Sequence, residues 1–162
     1  MNAFVPLVLL ALTSAPSSVD QNVLHGLHTV DVLIETMDPT AMQVGFAPDE
    51  YKGDAVRRLE RAGLHVQSDQ ESGQSNSPTP CLYLRVGAMV EPQTQLALYS
   101  VDLELMEAVF LERQPSTFTL GSIWQSRAMI GQVATTHVDR VRGNVRDAVD
   151  QFIDAWAAAN PR

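Results

Sequence analysis

The side chains that could do chemistry are few and scattered. His25-Gly26-Leu27-His28, with Asp31 three residues on, brings two imidazoles and a carboxylate into one short stretch. A zinc centre takes three or four such ligands in a fixed geometry. In an extended chain His28 and Asp31 point to opposite faces, so the stretch reads as surface histidines and no metal is assigned. Glu107 is the one carboxylate set inside an apolar series, where burial would raise its pKa, and the nearest hydroxyl across the chain is Ser122. A lone acid beside a hydroxyl lacks the second acid, imidazole and oxyanion donors of a hydrolytic site, so no catalytic residue is assigned. Arg57, Arg58 and Arg61 could meet a phosphate or an acidic partner, but Asp54 and Glu60 dilute them and they read as a solvated helix face. Cys81 is a single thiol with no base near it in sequence, which reads as a reduced, partly buried strand residue. No Gly-rich phosphate loop, G-x-S-x-G, C-x-x-C or H-E-x-x-H occurs, and no cofactor is implied.

The element that must position these residues runs from Leu96 to Ile130. Its odd positions, Ala97, Tyr99, Val101, Leu103, Leu105, Glu107, Val109 and Leu111, are apolar except for Glu107. A period of two over that length is a strand with one face on a core. After a polar turn at Glu112–Ser116, even positions take over, with Phe118, Leu120, Trp124, Ala128 and Ile130 expected to face the same core. A long hairpin follows, in which residues i and j face each other when their numbers sum to about 229, a figure set by turn position and pattern. That register sets Leu105 against Trp124, Val101 against Ala128, Tyr99 against Ile130 and Glu107 against Ser122. On the reverse face it pairs Asp102 with Arg127 and Glu104 with Gln125, and adds Tyr83 and Arg85 from the preceding strand. These six form either a polar ladder in water or a recognition face for a protein or sugar, with the ladder favoured. Arms this long must bend strongly or contain a bulge, and Gly121 and Gly131 are candidate sites for such a bend.

Other elements frame the hairpin. His28–Met37 alternates as a first strand, with Val30, Val32 and Ile34 on one side and Asp31 and Glu35 on the other. Pro48, Asp49 and Glu50 open a helix that Gly63 closes, and Leu64–Gln67 is a short strand. Residues 68–80 contain no aliphatic side chain and predict a mobile loop. Cys81–Glu91 is a strand with Leu82, Leu84, Val86, Ala88 and Val90 facing in. The last helix begins at Thr135 or Thr136, carries the stripe Val138, Val141, Val145, Ala148, Val149, Phe152 and Trp156, and stops at Asn160-Pro161. An antiparallel sheet with one apolar face needs a cover, and two helices supply it. The expected fold is α+β: a two-layer sandwich, its mainly antiparallel sheet of four to five strands covered on one face by two helices, in a single domain over residues 28–160.

Charge and leader restrict the setting. Against 11 Lys plus Arg stand 19 Asp plus Glu, a formal charge of −8 that repels nucleic acid and anionic membranes. Ala3–Leu12 is apolar and followed by the small residues Thr13, Ser14 and Ala15, the pattern of a signal peptide within residues 1–20 and too short to span a bilayer. No Lys or Arg precedes the run; the amino terminus alone supplies the charge, or the true start lies upstream. Removal of this leader leaves no transmembrane span and a periplasmic or secreted protein.

Arg57-Arg58-Leu59-Glu60-Arg61-Ala62-Gly63-Leu64-His65-Val66 and Val149-Asp150-Gln151-Phe152-Ile153-Asp154-Ala155-Trp156 resemble stretches of small exported bacterial α+β proteins. The element order is similar to that of lipopolysaccharide-assembly lipoproteins of the outer membrane, although no cysteine lies near the cleavage zone to carry a lipid. The resemblance implies an exported domain and no catalytic residues. The expected function is therefore a non-enzymatic envelope protein that binds a protein or envelope component, with a hydrolase or small-ligand carrier as the alternative. A partner or second copy is expected along an exposed strand edge, because Ser116–Ile130 carries no charge beyond Arg127 to blunt one.

Overall fold

The computed structural model describes residues 23–68 and 79–161. The leader at residues 1–20 and all of the 68–80 loop except Ser68, Thr79 and Pro80 lie outside the described residues. In chain order the elements are β1 (Thr29–Ile34), α1 (Pro39–Gln43), α2 (Pro48–Ala62), β2 (His65–Val66), β3 (Cys81–Glu91), β4 (Leu96–Leu111), β5 (Gln114–Gln125), β6 (Met129–Ala134), a 3-10 turn (Thr135–Arg140) and α3 (Val141–Ala159).

The six strands form one sheet in the order β2-β1-β3-β4-β5, with β6 also paired to β4. The fold is the expected two-layer α+β sandwich, with α2 and α3 packed on one sheet face. Its sheet is mixed, because β1 runs parallel to both β2 and β3. A helical crossover from β1 to β2 returns the chain in the same direction, which only parallel pairing accommodates. Asp38-Pro39-Thr40 does more than end the first strand. The Asp38 carboxylate accepts the Thr40 N–H at 2.7 Å and Pro39 starts the short α1.

Both long helices form for reasons the chain states locally. Helix α2 opens on Pro48 with Asp49 and Glu50 in its first turn and closes on Gly63 at φ 105°, a left-handed C-cap. It buries Tyr51, Ala55 and Leu59, one face at four-residue spacing. Helix α3 buries Val141, Val145, Ala148, Val149, Phe152 and Trp156. Its start is Val141, not Thr135 or Thr136: a 3-10 turn containing non-helical His137 precedes it and carries Val138 into the core. Against these helices the sheet presents Val30, Val32, Leu82, Leu84, Val86, Ala97, Val101, Leu103 and Leu105, all buried.

The second arm of the hairpin is the main departure. Leu105 faces Trp124 and Glu104 faces Gln125 as expected, but Met106 already faces Ser122, leaving Ile123 as an extra residue. On the other side of this point the arm breaks at Ser126–Ala128 and resumes as β6, where Val101 faces Met129 and Tyr99 faces Gly131. Each irregularity shifts the register, so the parity of the arm changes twice. Phe118 pairs with Phe110, Leu120 with Ala108, and Ile130 with Ser100, all on the uncovered face. Phe118, Leu120 and Ile130 are therefore exposed rather than core residues, whereas Trp124 reaches the core and meets Phe152 edge-on with ring centroids 5.1 Å apart. The register breaks at Ile123 and at Ser126–Ala128 rather than at either glycine. A Cβ on Gly131 would stand 2.5 Å from the Tyr99 hydroxyl oxygen, so Gly131 is the space the Tyr99 ring lies across.

Candidate functional site

Five of the six predicted ladder residues come together on the uncovered face. β3 and β4 set Tyr83 beside Glu104 and Arg85 beside Asp102, and β4 sets Glu104 beside Gln125. Arg85 lies over the Tyr83 ring at 5.6 Å, with its Nη1 3.6 Å from Glu104. Gln125 donates to the same Glu104 carboxylate at 3.4 Å. Glu35, at the end of β1, joins them through Arg85 Nε at 3.2 Å. Sequence reasoning put Glu35 on this side of its strand but did not connect it to Arg85, because the parallel β1–β3 pairing was not visible. Arg127 is not in the ladder: it lies in the break between β5 and β6, and its backbone N–H donates to Gln151 at 3.1 Å. The ladder sets one cation, Arg85, among the carboxylates of Glu35, Asp102 and Glu104 on exposed strands, where such pairs contribute little.

The predicted polar spot separates. Glu107 faces Gly121 and not Ser122, whose hydroxyl donates to the Trp124 carbonyl at 3.4 Å. Glu107 instead lines an open cleft of about 360 Å³ together with His25, His28, Thr29 and Pro80. Within it His25 is held by a hydrogen bond of 3.0 Å between Nδ1 and the Ala159 carbonyl, so that nitrogen carries the proton. Among the described residues, no hydrogen bond or ion pair joins Glu107 to either imidazole, and no group of three or more His, Cys, Asp or Glu could hold a metal ion.

Of the predicted arginine cluster, Arg57 and Arg58 turn out to be structural, while Arg61 is exposed. Asp54 is buried on α2 and accepts from Arg142 at 2.6 and 2.8 Å, from Arg146 at 2.9 Å, and from Arg57 of its own helix. The Arg142 guanidinium above all, with Arg146 and Arg57, holds the Asp54 carboxyl well below the usual carboxylate range against the opposing effect of burial. Arg58 reaches across to Asp150 at 2.9 Å. These contacts clamp α2 to α3, and the sequence concealed them because the partners are some ninety positions apart. Cys81 is half-buried where β1, β3 and β4 meet, and burial with the nearby Asp31 charge pushes its pKa up to about 11, which makes it a poor nucleophile.

The uncovered face also carries large apolar side chains. Phe110, Phe118 and Leu120 sit side by side at the hairpin end, 70%, 66% and 64% exposed. At the other end of the same face Met89, Leu98 and Ile130 line a shallow hollow with Gly87 and Ser100. The hairpin group borders β5, a strand of twelve residues that, among the described residues, pairs on one side only and contains no Asp, Glu, Lys or Arg. The other edge ends in the two-residue β2. Sequence reasoning found the unblunted edge but assigned Phe118 and Leu120 to the core; the even-numbered Phe110, out of phase with its own arm, was the available signal.

No family model and no curated protein matches the chain. Among solved structures it is similar to PelC from Paraburkholderia phytofirmans. A dodecamer of the L103M variant aligns with 11% identity and a TM-score of 0.39, over 82% of this chain and 90% of that one. A second PelC dodecamer aligns with 14% identity and a TM-score of 0.37, over 91% and 95%. Among the described residues no helix is long and apolar enough to cross a membrane.

Proposed function

We propose that the protein is a non-catalytic exported domain of the bacterial envelope that works by holding another polypeptide along the open β5 edge. The observation that carries this reading is the coincidence of an uncharged, twelve-residue edge strand with three large exposed apolar side chains, Phe110, Phe118 and Leu120. A single exposed leucine is ordinary, whereas a contiguous group beside unpaired backbone N–H and C=O groups is a template for strand addition. Export rests on the apolar leader alone. N-terminal sequencing of protein from its native host is expected to start between Ala15 and Gln21; intact Met1 in the cytoplasmic fraction would defeat that part. The binding role is tested by crosslinking in the periplasm. Phe118→Asp and Leu120→Asp should abolish the crosslinked species, and alanine at Arg85, Asp102 and Gln125 should leave it. The reverse outcome would make the ladder the recognition face.

The cleft with Glu107, His25 and His28 on its walls supports a second reading, a small-ligand carrier or hydrolase. A thermal-shift screen with small acids and amines addresses it. A stabilisation lost in both Glu107→Gln and His28→Ala would favour the cleft over the edge.

A further inference from the structure

Resting on the association reading above, we infer that the polypeptide taken up by β5 is a second copy of this chain, its own β5 laid antiparallel to the first. Two copies joined this way are related by a two-fold axis perpendicular to the sheet, so each residue meets a partner at a mirrored position and both sheets keep the same face on the same side. Such an interface asks two things of its strand.

The first is the absence of charge. A chain with a formal charge of −8 repels its own copy, and like charges set opposite each other across a two-fold axis are destabilising. Gln114–Gln125 contains no ionisable residue; Glu112, Arg113 and Arg127 fall outside it. A basic or acidic foreign strand would find no complementary charge along this edge, whereas an identical strand needs none.

The second is an apolar pattern that matches itself. Between the two register shifts the hairpin runs regularly from Met106 facing Ser122 to Phe110 facing Phe118. Within that stretch Phe118 and Leu120 share one face and flank Thr119. An axis at Thr119 sets Phe118 against Leu120 of the copy, and Leu120 against its Phe118, an aromatic–aliphatic pair on each side of the axis. Phe110, directly opposite Phe118 on β4, extends the strip outward on both copies. Side chains that are about two-thirds exposed in one chain thereby become the centre of a continuous apolar band across β4, β5 and their copies.

The experiment uses the full mature chain carrying Cys81→Ser, so that any new thiol stands alone. Wild type is expected to sediment as a dimer at high micromolar concentration. Leu120→Asp should weaken dimerisation by at least about tenfold through lost apolar burial and a like-charge pair, with an unchanged circular dichroism spectrum and melting temperature. Thr119→Cys should form an intermolecular disulfide on mild oxidation. A wild-type monomer, or a dimer untouched by Leu120→Asp and not trapped by Thr119→Cys, overturns the inference. If that monomer still loses a crosslinked foreign protein in the Leu120→Asp variant, self-pairing fails while the association reading stands; if it loses nothing, both fail.

Discussion

Ser126 and Leu103 exchange a reciprocal pair of hydrogen bonds across the break in the hairpin. The Ser126 N–H donates to the Leu103 carbonyl at 2.8 Å, and the Leu103 N–H donates to the Ser126 hydroxyl oxygen at 3.1 Å. A side chain thus takes the place of a missing strand partner, and both residues are buried. The bond is what lets β5 end and β6 begin without stranding a buried N–H.

Ser126→Ala is therefore expected to cost about 1–2 kcal/mol, the penalty of an unsatisfied buried donor. Urea melts would measure it, with Ser126→Thr as the control that keeps the acceptor. An alanine variant as stable as wild type would mean the strand rejoins without the hydroxyl.

Asp54 ties α2 to α3, and its carboxyl ionises well below its ordinary 3.8. A depressed folded-state pKa contributes stability that is present above the unfolded value and is lost as pH falls toward the folded one. Asp54→Asn should lower stability at neutral pH by about 1–3 kcal/mol, less than a fully buried broken pair, because the Arg57, Arg142 and Arg146 side chains are 55%, 32% and 42% exposed and can rehydrate. The gap between variant and wild type should narrow below about pH 4, where the unfolded-state carboxyl takes up a proton while the native one stays ionised. Denaturant titrations at neutral and acid pH would read both effects, and a gap that widens in acid would contradict this account.

With its pKa pushed up to about 11, the Cys81 thiol should alkylate slowly near neutral pH and speed up only in strong base. Cys81→Ser should keep the fold and the melting temperature. Rapid modification by iodoacetamide at mildly alkaline pH would show a thiolate that this environment does not support.

Arg85 sits among Glu35, Glu104 and Tyr83 on the open face, 42% exposed. Exposed ion pairs contribute little, so Arg85→Ala should cost less than about 1 kcal/mol. Added salt should change wild-type and variant melting temperatures alike. A loss several times larger would mean the ladder is a buttress of the sheet rather than a solvated surface.

Where short-range pattern decides, the sequence was enough. The three- and four-residue recurrence from Val138 to Trp156 marks the buried stripe, Pro48 and Gly63 bound α2, and of the odd positions of β4 Ala97, Val101, Leu103 and Leu105 lie in the core with Tyr99 packed against it. Strand parity holds only while pairing is regular, and there the sequence ran out. One extra residue at Ile123 and a break at Ser126 turned Phe118, Leu120 and Ile130 from expected core into exposed surface. Beyond the out-of-phase Phe110, little in the local pattern announces such shifts, because the break goes with the Ser126–Leu103 exchange, a contact between residues far apart in the chain. The same holds for Glu35 beside Arg85 and for Arg142 on Asp54. Composition could state that these charges exist; only the packing of β1 against β3 and of α2 against α3 decides which of them meet.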